Sequence, residues 1–383
     1  MYIYYKHRNF GLDVIRAVAI MLVIISHSTL LLFPNQNNTL LTIIRFFGTI
    51  GVDLFFVLSG FLIGRIILKQ IETGKTTFKD LLYFWIRRWF RTLPNYFLIL
   101  LLNIFLAIFL FKNLVKDIGC YFLFLQNFNS SQPDFFTESW SLSIEEYAYI
   151  IGPLLLYLSL IFFKKVQPKC LWYLLVVIII IATSTYLKYN FYIQNQLISD
   201  VSWSHEFRKV VIYRIDSIYY GFLAAYIFMY FKSLWDLYKI KVFWLGSILF
   251  FGMHFLIFIF DFRPENAAFF YNIFYLSLVS VSLLLFFPFA LTLKANSFII
   301  SIITKISVLS YAIYLINYSL VLLTIQFFID VASLSIGLKI LVLLLYLTLT
   351  YLASLFLYIC FEKPTTNMRD SAYIKQRFHI DSY

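Results

Sequence analysis

Three side chains in the first apolar run of the chain carry chemistry that hydrocarbon resists. The run from Phe10 to Phe33 reads FGLDVIRAVAIMLVIISHSTLLLF and holds Asp13, Arg16 and His27. A bilayer span needs about 20 mostly apolar residues, and a centrally placed Asp or Arg costs roughly 2.5–3.5 kcal/mol there. Arg16 and His27 lie eleven residues apart, which is about 20° past three helical turns and about 16 Å of rise. The two therefore share a face, and Asp13, three residues before Arg16, joins it. Such a stripe belongs in a bundle interior or a water-filled cleft, and reads as an active-site helix. An imidazole, which ordinarily titrates near roughly 6.5, suits a general base or a transient acyl carrier. A purely structural stripe is the bland alternative. A signal peptide fits poorly, because the run continues past Ser26-His27-Ser28 and further spans follow.

The elements that must position these groups follow from composition. Of 383 residues, 62% are hydrophobic and only 13% charged, against roughly 45–50% and 25% in soluble domains. The chain is expected to be an all-α polytopic membrane protein. Ten spans are read at about 10–33, 41–66, 93–111, 140–163, 171–188, 211–231, 242–260, 269–293, 307–329 and 338–361. The breaks fall at Pro34 to Asn38, the basic stretch 69–91, Lys164-Lys165, Lys232 to Lys241, Asp261 to Pro264 and Lys294 to Ser297. The apolar piece 118–128 is too short to cross and is taken as interfacial or re-entrant. With the N-terminus inside, 20 Lys and Arg face the cytoplasm and seven face out, so both termini are expected to be cytoplasmic. The net charge of +12 then sets topology and attraction to membrane lipid and implies no nucleic-acid partner. Cys120, Cys170 and Cys360 have no close spacing, so neither a metal site nor a disulfide framework is indicated. No nucleotide-binding glycine motif is present.

Helix ends place further groups at depth. The fourth span opens with Ser139-Trp140-Ser141-Leu142-Ser143-Ile144-Glu145-Glu146, which puts both glutamates about 9 Å below the outer surface, level with His27. Arg214 and Asp216 open the sixth span at the same level. On the inner side stand Arg87, Arg88 and Arg91, with Arg65, Lys69, Lys75 and Lys79 nearby. They read either as positive-inside topology or as a phosphate site, for which the planar guanidinium fork is suited. Asp53 either pairs with Arg45, eight residues earlier, or serves a site. Gly60 and Gly64 read as a close helix contact. His254 and Asn317 read as interhelical hydrogen bonds, and Ser310, Tyr314 and Asn317 fall near one face.

Six segments, in order, resemble the acyltransferase 3 family of integral-membrane O-acyltransferases. They are Leu12 to Ala17 with His27, Gly51 to Phe61, Arg87-Arg88 through Arg91 to Pro94, Trp140 to Glu146, Arg214-Ile215-Asp216, and Glu362-Lys363-Pro364. The resemblance covers nearly the whole length and implies about ten helices, with an acyl group, usually acetyl, moved from cytoplasmic acetyl-CoA to a carbohydrate hydroxyl. It implies His27, Arg16 and Glu145 as the catalytic residues, and Arg16, Arg87, Arg88 and Arg91 beside the coenzyme A phosphates. Glu145 would orient His27, the usual role of a third group. Asp13, Asp53, Trp140, Glu146, Arg214 and Asp216 are assigned to the substrate. Two departures stand out. Asn317 occupies a position where many relatives carry His, and only about twenty residues follow the last span, so no appended soluble domain is expected. Residues 1–365 are read as the transmembrane domain and 366–383 as a short cytoplasmic tail, in a multi-pass protein of the bacterial inner membrane. A partner protein for delivery to the acceptor is left open. The rival reading is a transporter of a lipid-linked sugar or other anion, against which no internal repeat or matched pair of broken helices is seen.

Overall fold

The computed structural model describes residues 8–36, 38–110, 112, 116–163, 168–195 and 199–371. Residues 372–383, most of the expected tail, lie outside the described residues, as do Asn37 and Lys164-Lys165 of the expected breaks. Among the described residues there is no strand. The spans are α1 (Phe10–Leu32), α2 (Thr39–Glu72), α3 (Phe78–Phe109), α4 (Ser139–Phe162), α5 (Lys169–Gln194), the bent pair α6 (Asp200–Arg208 and Val211–Tyr230), α7 (Lys239–Ile259), α8 (Phe270–Ala290), α9 (Ser297–Phe328) and α10 (Ile336–Met368). Nine of these are long and apolar enough to cross a membrane, and the bent pair makes a tenth. The protein is an all-α, multi-pass membrane protein.

Local sequence sets the boundaries. Asn9 and Asn38 accept from the amides of Leu12 and Leu41, capping α1 and α2. Thr77 and Asp80 form a capping box at the head of α3. That box corrects one expectation. The basic stretch 69–91 is not a loop: α2 runs on to Glu72, α3 starts at Phe78, and Arg87, Arg88 and Arg91 stand on a helix. Lys and Arg are good helix formers and can bury their stems while keeping their charges wet, so charge density marks the water boundary rather than the helix end. A second correction concerns 189–210, read as an outer loop. Asp200–Arg208 is helical and meets the next limb at 92°. Its Trp203 and Phe207 are buried, and that burial stabilises a helix too short to be seen as a span. The piece 118–128 contains only the short helix Ile118–Phe122.

α1 and α2 form the centre, with α6 against α2 and α9 against α1. Gly60 allows a close approach of α2 and α6: a Cβ there would lie 1.9 Å from the carbonyl oxygen of Ile218 on α6. α7 presents its side chains outward, with only 11% of its apolar window buried, as expected of a lipid-facing helix. His254 on α7 contacts its own Phe250 carbonyl and, at 3.4 Å, the Tyr275 hydroxyl of α8.

Candidate active site

The charged residues sort into a large cavity, a throat and a separate set of buried pairs. Asp13, buried near the N-terminal end of α1, is the hub of the first. Its carboxylate accepts from Arg8, from Ser307 of α9 at 2.7 Å and from Thr304 at 3.4 Å, and Arg16 lies 3.4 Å away. Arg16 also donates to the Ser307 hydroxyl at 3.1 Å. Asp13 therefore holds two guanidiniums at the edge of a cavity of about 880 Å³. Among the described residues nine Lys and Arg side chains line that cavity, Arg16, Arg87, Arg88 and Arg91 included, against two acids, Asp13 and Asp80. The four arginines assigned to the acyl donor thus converge from α1 and α3 on one space.

A narrower extension of about 110 Å³ shares Arg16, Ser59, Leu62, Arg88 and Arg91 with that cavity and runs between Phe55, Phe56, Glu145, Ser310 and Tyr314. Arg88 donates to Glu145 at 2.9 Å, and its guanidinium sits 4.1 Å from the centroid of the Tyr149 ring. The Tyr149 hydroxyl donates to the same carboxylate oxygen at 2.7 Å and is bonded to the Ser59 hydroxyl. Thr92 donates to Glu146 at 3.1 Å.

His27 lines neither space. Its Nδ1 is bonded to the Asn317 side-chain oxygen, and its ring is 4.9 Å from that of Tyr318. This corrects the expectation that Glu145 orients His27: Glu145 belongs to Arg88 and Tyr149, and Asn317 holds the imidazole. The physical reason is depth. The estimate of about 9 Å took the head of α4 to lie at the membrane surface. In the structure Glu138 and Ser139 are themselves buried, so α4 starts inside the protein, and Glu145 lines the throat together with Arg16.

Asp53, Arg214 and Asp216 do not line the throat either. Arg214 is bonded to Asp53, and Lys188 donates to Asp216 at 2.5 Å, with every one of these side chains at or below 2% exposure. Asp53 thus pairs across to α6 rather than with Arg45, which instead donates to the Phe33 carbonyl at the end of α1, at 2.6 Å. Trp140 is buried beneath Arg208, whose guanidinium lies 5.2 Å from its ring centroid. Sequence reasoning missed Glu138. Its carboxylate accepts from the Ser319 amide and hydroxyl at 3.3 and 2.5 Å, while its other oxygen has no hydrogen-bond partner among the described residues. Its place directly before Ser139-Trp140 was the available signal, masked by an apparent loop. Arg8, Lys188 and Arg208 were counted only as topology charges.

The acyltransferase-domain model, Acyl_transf_3, matches residues 9–359, from the cap of α1 into α10. The chain belongs to the acyltransferase 3 family. Among curated family relatives, the peptidoglycan O-acetyltransferase OatA of Listeria monocytogenes is 38% identical over 140 residues, covering 32% of this chain and 22% of the relative. A putative O-acetyltransferase of Staphylococcus aureus is 34% identical over 171 residues, 40% of this chain and 26% of that protein. The putative peptidoglycan O-acetyltransferase YrhL of Bacillus subtilis is 32% identical over 182 residues, 43% and 26% respectively. The matched stretch of this acyltransferase 3 chain therefore spans about a quarter of the length of these relatives. No solved structure matches.

Proposed function

We propose that this protein is an O-acyltransferase of the bacterial inner membrane that carries acetyl from cytoplasmic acetyl-CoA to a hydroxyl of a cell-envelope carbohydrate. The observation that carries this reading is the cavity of about 880 Å³ lined by nine cations among the described residues, which shares Arg16, Arg88 and Arg91 with a narrower throat. A donor with several phosphates and a long thin arm matches that shape and charge. Guanidinium groups grip phosphate oxygens in bidentate fashion, so Arg87, Arg88 and Arg91 would hold the nucleotide end. Arg16 stands at the join of cavity and throat, and the rise of about 16 Å from Arg16 to His27 is a length an extended arm covers.

His27 then acts as general base. The acceptor oxygen bonds to the thioester carbonyl carbon as its proton passes to the imidazole. The C–S bond breaks, the electron pair leaves on sulfur, and the imidazolium returns the proton to the thiolate. The names of two relatives support a peptidoglycan sugar as the acceptor. The test is transfer from labelled acetyl-CoA in membranes carrying wild type or His27→Ala at equal expression. Label reaching an envelope glycan only with intact His27 is the expected result. Equal labelling, or none in either, overturns the reading.

A further inference from the structure

The amide of Asn317 fixes the chemistry of His27. Asn317 is fully buried and begins a π-helical turn within α9, Asn317–Leu322, and such turns recur at functional sites. Its nitrogen donates twice, to the carbonyls of Ile313 at 2.7 Å and Tyr314 at 2.9 Å. A carbonyl can only accept, so these two bonds determine which end of the amide is the nitrogen. The oxygen must then face His27, and an amide oxygen can only accept. The hydrogen between them therefore belongs to Nδ1, and the neutral ring keeps its lone pair on Nε2.

The turn is pinned on both sides of Asn317. Ser319 is tied to the Glu138 carboxylate at 2.5 and 3.3 Å, and Tyr314 donates to the Glu138 carbonyl at 3.2 Å. The remaining contact of the Asn317 oxygen, from the Tyr346 hydroxyl at 3.4 Å, also donates to it and is compatible with the same orientation. We propose that Asn317 is the positioning residue of His27, holding it in the Nδ1–H tautomer so that Nε2 is the atom that exchanges the proton during acyl transfer. The clause on acyl transfer rests on the function proposed above, while the tautomer does not. The assignment also gives a role to a residue unable to accept a proton: it acts by orientation, as a neutral acceptor can.

The test uses the full chain in lipid bilayers with 15N/13C-labelled histidine, about two pH units above ordinary imidazole titration. The signals of His27, one of five histidines, are identified as those missing from His27→Ala. Wild type is expected to show Nδ1–H. In Asn317→Leu that preference should vanish and acetyl transfer kcat should fall at least tenfold, with the donor KM within twofold. Asn317→Asp, which restores an acceptor oxygen at the same point, should recover most of kcat. An Nε2–H ring in wild type, or an Asn317→Leu variant with wild-type kcat, overturns the proposal. So does equal impairment of the Leu and Asp variants when both are folded. If wild type shows Nδ1–H, lost in the Leu variant, yet moves no acetyl, the tautomer assignment stands and the functional reading falls.

Discussion

The pairing of Asp53 with Arg214 decides whether two residues assigned to the substrate are instead part of the frame. Arg214 is completely buried and Asp53 is 2% exposed. Two further nitrogens of that guanidinium, Nε and Nη1, have no hydrogen-bond partner. In Asp53→Leu the guanidinium would lose its bonded carboxylate inside the bundle, and removing one member of a buried pair costs about 3–5 kcal/mol. Replacing both by apolar residues of similar size is often neutral. We expect Asp53→Leu alone to be destabilised by about 3–5 kcal/mol, and Asp53→Leu/Arg214→Met to recover all but about 1–2 kcal/mol. The assay is detergent-driven unfolding in mixed micelles, run as a double-mutant cycle beside acetyl transfer on the folded fraction. A coupling energy near zero would refute the energetic argument. A double variant with restored stability and no activity would refute the structural role and return the pair to the acceptor site.

Glu145→Gln frees Arg88 from its 2.9 Å partner without touching His27. It should change the donor KM several-fold and leave the pH dependence of kcat where wild type has it, and a shifted kcat profile would restore a Glu145–His27 dyad. Arg87→Ala and Arg91→Ala, both exposed at the cavity wall, should each raise the donor KM by roughly tenfold, as expected for a lost charge-assisted hydrogen bond. They should also flatten its salt dependence, measured by initial rates from low to high ionic strength. Gly60→Ala puts a methyl 1.9 Å from the Ile218 carbonyl oxygen, and should destabilise the α2–α6 contact by about 1–3 kcal/mol, read in the same unfolding assay.

Much of the bundle was legible because hydropathy and helix length obey the bilayer directly. All ten spans were found, and α1 carried its Asp13, Arg16 and His27 stripe in plain view. The grouping of Arg16 with Arg87, Arg88 and Arg91 came from the family resemblance, and the four line one cavity. The partners were not legible. Glu145 looked level with His27 only while the head of α4 was assumed to lie at the surface, and the burial of Glu138 and Ser139 removes that assumption.

The sequence by itself determined where the long apolar helices lie, the face of α1 that carries the histidine and the end of the molecule that collects positive charge, because each depends on periodicity or transfer cost along one segment. The tertiary structure alone decided who holds whom: Asn317 for His27, Arg88 for Glu145, Arg214 for Asp53 and Lys188 for Asp216. Those choices depend on helix rotation and depth across positions up to 290 residues apart in the chain. In low dielectric a buried polar group bonds to whichever partner packing brings within about 3 Å, a condition that no spacing along one strand of sequence encodes.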